Sequence, residues 1–260
     1  MDSQSQQPTH PLAAPYETAQ ILRRRLRAAV KGRDEVIDLI ITALLADGHV
    51  LLEDYPGSGK TTLAKALGES VTDAEGQHIA PFRRVQFTPD LLPSDVSGVS
   101  VFDVSASRFE FRPGPIFAHV LLADEINRTS PKVQSAMLEA MAEKQVTVDN
   151  HTYPLDAFFF VIATQNPRDL AGTYPLPVAQ LDRFLFKINM DYIARDAEID
   201  VLATRKVRRS QPAERLVTRD EVIAARDAME EHVHVDPRVH TCLVDAARNL
   251  RAHKKVLQGL

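Results

Sequence analysis

The sequence of 260 residues predicts an α/β fold, a parallel sheet covered by helices on both faces, followed by an all-helical segment. Three observations predict it. The apolar run HVLLE (49–53) leads into the glycine loop DYPGSGKT and then into TTLAKALGES, the order strand, loop, helix. The later apolar runs RRVQF (83–87), HVLLADE (119–125), FFFVIAT (158–164) and LFKIN (185–189) are short, as suits parallel strands buried on both faces. Past residue 190 the character changes, and three helical segments follow with no strand.

Taken in order, residues 1–15 are polar, proline-rich and expected to be disordered. A basic helix is expected over roughly 17–29. In GRDEVIDLIITALLADG, Val36, Ile40 and Leu44 make one stripe and Ile37, Ile41 and Leu45 another, so a helix with a broad buried face is expected, ended by Gly48. Ser130 and Pro131 open a helix whose apolar face is Val133, Ala136, Met137, Ala140 and Met141. VTVDNHTYPL alternates around Asp149-Asn150 and predicts a hairpin. FFFVIAT is the most apolar strand and is expected at the centre of the sheet. TRDE (218–221) is a capping box, and Asp236-Pro237 opens a helix with Val239, Leu243, Ala246 and Leu250 on one face. The resulting division is a tail (1–15), a core (16–192) and a helical lid (193–260).

Bulk properties narrow the function. With 44% hydrophobic and 25% charged residues the chain can bury a core. Its net charge of −4 supplies no global positive field for nucleic acid. The basic clusters RRRLRAAVKGR (23–33) and RKVRR (205–209) are read as solvated helix faces. The single cysteine, Cys242, excludes a disulfide framework and a four-cysteine zinc site, and fits a reducing compartment. The N-terminus lacks the basic start and apolar core of a signal peptide, and no apolar run has transmembrane length. A cytoplasmic protein without a membrane span is expected.

Four places carry chemistry. The loop departs from the strict pattern G-x-x-x-x-G-K-[ST], because Asp54 stands where the first glycine belongs. Asp54 sits at the strand end and need not approach a phosphate, whereas Gly57 and Gly59 allow the backbone N–H groups to curl inward at a helix N-terminus. Lys60 would reach the β and γ phosphates, and Thr61 would offer a hydroxyl to Mg²⁺. The second place is VLLADE, whose Asp124 stands 64 residues after Lys60. Asp124 can hold the shell of a metal ion and Glu125 can polarise a water for in-line attack. No guanine-reading N-K-x-D occurs, so ATP is the expected nucleotide. The third is Asn166 in VIATQNP, placed to orient that water if its strand neighbours the first; an Asn-Pro turn explains the same residues without function. The fourth is Arg183, before the last strand. It reads either as a finger reaching a neighbouring subunit's nucleotide or as half of a surface pair with Asp182, and the residues alone leave both readings open.

LLEDYPGSGKTTLAKAL, VQFTPDLLPSDVSGVSVFD, FRPGPIFAHVLLADEINR, PKVQSAMLEAMAEKQVTV and VIATQNPRDLAGTYPLPVAQLDRFLFKI together resemble the MoxR family of AAA+ ATPases, from about residue 28 to at least 192. Members often carry an acidic residue at the position of Asp54. The resemblance implies an αβα sandwich with a five-stranded parallel sheet in the order 5-1-4-3-2 and a small all-α lid. It implies a Walker A site at Pro56, Gly57, Ser58, Gly59, Lys60, Thr61 and Thr62. Walker B would be Asp124 and Glu125, sensor 1 Asn166, and the arginine finger Arg183. Val30, Lys31 and Gly32 match the segment bordering adenine, and Gln86 matches a position that would hold Glu125 inactive until a partner engages. GVSVFDVSASRFEFRPG and KQVTVDNHTYPL match the family's two insertions. The implied activity is hydrolysis of ATP with Mg²⁺ in a homohexameric ring. The ring would remodel or activate client protein complexes with a partner bearing a von Willebrand factor A domain.

The family's lid also carries a sensor 2 arginine just past a small-residue turn, and VLQGL (256–260) stands about where that turn begins. The lid is therefore expected to be partial. Two alternatives follow: a scaffold that assembles on ATP with little turnover, and a nucleic-acid motor. The acidic balance and the absence of Lys or Arg at the VTVDNHTYPL tip count against the motor.

Overall fold

The computed structural model describes residues 10–54, 57–73, 79–166, 172–203 and 215–253. Helices α1 (Ala13–Ala29) and α2 (Asp34–Leu45) precede β1 (Val50–Asp54), the glycine loop and α3 (Lys60–Gly68). After β2 (Val71–Thr72), β3 (Ala80–Gln86) and the short α4 (Pro93–Ser97), β4 (Gly98–Asp103) and β5 (Arg108–Pro113) form an antiparallel hairpin. Next come β6 (Ala118–Asp124), a 3₁₀ turn (Ile126–Arg128) and α5 (Pro131–Glu143). A second hairpin pairs β7 (Gln145–Val148) with β8 (His151–Pro154). The remaining elements are β9 (Phe160–Gln165), α6 (Val178–Leu181), β10 (Phe186–Met190), α7 (Arg195–Ala203), β11 (Val217–Thr218), α8 (Arg219–His232) and α9 (Pro237–Ala252).

Among the described residues five strands make one parallel sheet in the order β10-β1-β9-β6-β3. Numbered by appearance this is 5-1-4-3-2, the expected order, with the FFFVIAT strand at its centre. In β1, β6 and β9 the apolar runs are explained by burial on both faces, whereas the edge strands β3 and β10, expected to be the same, are only partly buried because each has a strand neighbour on one side alone. Side chains along a strand alternate between faces, and here both faces meet helices. Val50, Leu52, Val120, Leu122, Phe160 and Ile162 lie in one buried cluster with α1, α2 and α3. Leu51, Leu121, Ala123, Val161 and Ala163 lie in a second with α5.

Several local expectations change on contact with tertiary structure. Helix α1 begins at Ala13, inside the segment expected to be disordered to residue 15. Pro15 is tolerated there because N–H groups of the first turn have no intrahelical acceptor. Residues 1–9 and the basic cluster 205–209 lie outside the described residues. The end of α2 is a Schellman motif: Gly48 N–H bonds Ala43 O at 2.9 Å and Asp47 N–H bonds Leu44 O at 3.3 Å. The left-handed residue is Asp47 (φ 54°), not Gly48. Gly48 is needed for closeness instead, since a Cβ there would stand 2.7 Å from Leu185 Cβ. The predicted hairpin turn does use left-handed Asp149 and Asn150 (φ 48° and 63°).

Beyond residue 190 the expectation of helices alone fails by one short element, β11, which pairs in parallel with β2. The lid segment is not wholly separate either. Val217 and Val222 belong to the buried cluster of α1 and α2. In α9 the face carrying Val239, Leu243 and Leu250 is exposed at 47%, 62% and 45%. Among the described residues no helix is long and apolar enough to cross a membrane.

Candidate functional site

The carboxyl ends of β1, β6 and β9 converge, and the glycine loop follows the first of them. Gly57 (φ 88°) and Gly59 (φ 92°) both take the left-handed conformation that favours glycine. A Cβ at Gly57 would meet nothing within 4 Å, so the curl faces open space. Gly59 caps α3, whose first residues are Lys60, Thr61 and Thr62. The expected contributor Pro56 lies outside the described residues. Ser58 is half-buried, and its carbonyl faces Arg33 Nη2 at 3.5 Å. A helix N-terminus with unobstructed N–H groups and a cation at its first position suits polyphosphate.

Lys60 Nζ lies 2.8 Å from Asp124 Oδ1, joining the two motifs that sequence spacing had only paired. Asp124 is 2% exposed at the end of β6. Thr164, fully buried on β9, donates its hydroxyl to the same Oδ1 at 2.8 Å and accepts the Glu125 N–H at 2.8 Å. On the other oxygen, Arg84 of β3 donates to Asp124 Oδ2 from Nε at 3.1 Å and from Nη2 at 2.6 Å. Burial pushes the Asp124 carboxyl up, but hydrogen bonds from Lys60, Thr164 and Arg84 together outweigh it and hold its pKa below the ordinary carboxylate value. An ionised, oriented carboxylate beside a threonine-bearing helix start is a hard-oxygen donor set of the kind Mg²⁺ accepts.

Glu125 follows in a left-handed conformation (φ 58°, ψ 49°), rare for a residue with a side chain. Its Oε2 accepts from Gln86 Nε2 at 2.8 Å and lies 3.1 Å from Arg128 Nε. Gln86 is paired in register with Asp124, so its side chain reaches Glu125 from the neighbouring strand. Asn166 directly follows β9 and is half-buried at the same edge. Arg183 is not brought to this cluster. It is exposed just before the amino-terminal end of β10, whose Phe186 pairs with Val50 at the start of β1, so it stands across the sheet from Asp124.

Beside the loop is a cleft of about 370 Å³ bounded by Gly57, Ser58, Asp191, Tyr192, Ile193 and residues of α7. Arg33 also lines it and donates to the Asp191 carbonyl, tying α2 to the end of β10. Val30, Lys31 and Gly32 are not among its lining residues. Gly32 packs behind it, where a Cβ would stand 2.9 Å from Ala197 Cβ, and a Cβ at Gly59 would be 4.0 Å from Val30 Cγ1. Sequence reasoning missed Arg84, Arg33 and Thr164. Only Thr164 left a trace, a polar residue ending the apolar run FFFVIA.

Residues 49–186 match the family model described as "ATPase family associated with various cellular activities (AAA)". The chain is 49% identical to the protein YeaC of Bacillus subtilis, covering 88% of this chain and 69% of YeaC. It is 39% identical to Chaperone MoxR1 of Mycobacterium tuberculosis, covering 86% of this chain and 57% of MoxR1. A crystal structure of a Cytophaga hutchinsonii ATPase candidate superposes with a TM-score of 0.78 at 35% identity, over 93% of this chain and 71% of that one.

Proposed function

Because this chain belongs to the MoxR family of AAA+ ATPases, we propose that it binds ATP with Mg²⁺ at the glycine loop, hydrolyses it within a ring of copies, and uses the cycle to remodel client protein complexes. The observation that carries this reading is the 2.8 Å contact of Lys60 with Asp124 beneath a left-handed glycine loop. In the proposal Gly57, Ser58, Gly59 and Lys60 hold the phosphates, while Thr61 and Asp124 hold Mg²⁺. Bound there, Mg²⁺ would neutralise charge on the phosphate oxygens. Glu125 is the base that polarises the attacking water, and Asn166 orients it. Gln86 and Arg128 occupy the Glu125 carboxylate, so they must yield it before Glu125 can act. Glu125 is held by Thr164, Gln86 and Arg128, all of them core residues and none in the helical lid, which favours hydrolysis over the scaffold reading.

Arg183 is assigned to the nucleotide of a neighbouring copy, a role favoured by its exposure across the sheet from its own loop. A hexamer, a von Willebrand factor A partner and a cytoplasmic setting are part of the same proposal. The test is ATP turnover per subunit against protein concentration, with mass measured on the same samples. Turnover that rises as larger assemblies form supports a site completed between copies. Nucleotide binding with flat, near-zero turnover would replace this reading with the assembly scaffold.

A further inference from the structure

The Asp124 carboxylate is engaged at both oxygens, and Arg84, the partner of Oδ2, has no part in the scheme above. Arg84 and Gln86 are two residues apart on β3, so both side chains leave the same face of an edge strand, towards Asp124 on β6. One nitrogen, Arg84 Nη2, donates to Asp124 Oδ2 at 2.6 Å and to Gln86 Oε1 at 2.8 Å. The second bond has a chemical consequence. An amide offers an acceptor at one end and donors at the other. With its oxygen held by Arg84, Gln86 must present its NH₂ group to Glu125, where Nε2 donates to Oε2 at 2.8 Å. The chain Asp124–Arg84–Gln86–Glu125 therefore runs unbroken from the carboxylate assigned to the metal to the carboxylate assigned to water.

We propose that Arg84 is a positioning residue that couples metal loading to release of the base: Mg²⁺ and Arg84 compete for Asp124, and loss of that anchor frees Gln86 to let go of Glu125. This rests on the nucleotide reading above. The physical grounds are charge and reach. Arg84 is 46% exposed, so it can swing into solvent at small desolvation cost, whereas Asp124 is buried and cannot turn away. A divalent cation sharing the Asp124 shell repels the guanidinium and removes the acceptor that holds it.

The experiment reads binding of a fluorescent, non-hydrolysable ATP analogue against Mg²⁺ concentration, alongside basal ATP turnover. Arg84→Ala is expected to lower the Mg²⁺ concentration for half-maximal binding roughly threefold to tenfold, the scale of one partly exposed charge pair. Arg84→Ala and Gln86→Ala should each raise basal turnover, and the double variant should do no more than the stronger single one, because one acts through the other. Arg84→Lys should keep the Mg²⁺ midpoint near that of the unsubstituted chain yet raise turnover, since a single ammonium holds Asp124 without fixing the amide. Arg84→Gln serves should the alanine variant not fold. An unshifted Mg²⁺ midpoint in the folded variant, or additive turnover effects, would overturn the relay while leaving the nucleotide site standing. An unsubstituted chain that binds no analogue at any Mg²⁺ concentration would overturn the nucleotide reading itself, and the relay with it.

Discussion

Glu125 occupies a left-handed backbone position that costs a residue with a side chain about 1–2 kcal/mol. The fold holds it there through Thr164, which takes the Glu125 N–H. The proposed role makes a sharp demand: Glu125→Gln should keep ATP binding and abolish hydrolysis, checked by nucleotide titration beside phosphate release. Unimpaired release would remove Glu125 as the base. A second residue carries a pH dependence. Burial pushes the His49 imidazole down to about 4, against partial support from the Met141 carbonyl. Its Nδ1 accepts the Val161 N–H at 3.1 Å and its Nε2 faces Met141 O at 3.3 Å, so the folded state keeps it neutral. An unfolded chain takes up that proton near 6.5, so the His49 contribution is present above that pH and is lost as pH falls towards 4. His49→Gln, which can make both hydrogen bonds without titrating, should flatten the fall of the unfolding free energy across that window by up to roughly 3 kcal/mol, measured by denaturant unfolding at each pH. An unchanged slope would place the acid sensitivity elsewhere. At this scale Lys60, Asp124 and Glu125 were legible because loops and strand ends announce themselves in local order. Arg84 and Thr164 were not, because their meaning depends on which strands become neighbours.

Elements were legible where one local device fixes them. The capping box forms as read, with Glu221 N–H donating to Thr218 Oγ at 3.1 Å and Thr218 N–H to Glu221 at 2.7 Å. Thr218→Ala should destabilise the chain by about 1 kcal/mol, measured by denaturant unfolding. A loss near zero would mean α8 is held by packing alone. The hairpin around Asp149-Asn150 was legible for the same reason. Its companion contact was not: Phe111 of the first hairpin stacks on Tyr153 of the second with ring centroids 3.9 Å apart, although 42 positions separate them. Helix α9 shows the opposite failure. Periodicity named its apolar face correctly, but a stripe does not say what covers it, and among the described residues this one stays exposed.

For the whole molecule, short apolar runs predicted a parallel sheet, whereas the strand order came from resemblance, since periodicity says nothing of lateral neighbours. The parallel direction of the strands matters as well, because it puts Arg183, before the start of β10, and Asp124, at the end of β6, at opposite strand ends. Arg183→Ala should therefore lower turnover roughly 10³-fold. Mixing it with Glu125→Gln subunits should restore activity, because each copy lends what the other lacks. Mixtures as inactive as their parts would argue against action between copies. One joint ties these scales together. Helix α3 starts at the loop with Lys60 and runs nine residues, about 13 Å. Just past its far end Ser70 O accepts the Val217 N–H at 3.0 Å, and the β2–β11 pair leads straight into α8. The helix is thus a push-rod with the phosphate seat at one end and a hinge pin of two residues at the other. A shift of the helix along its axis would reach α8 through that pin.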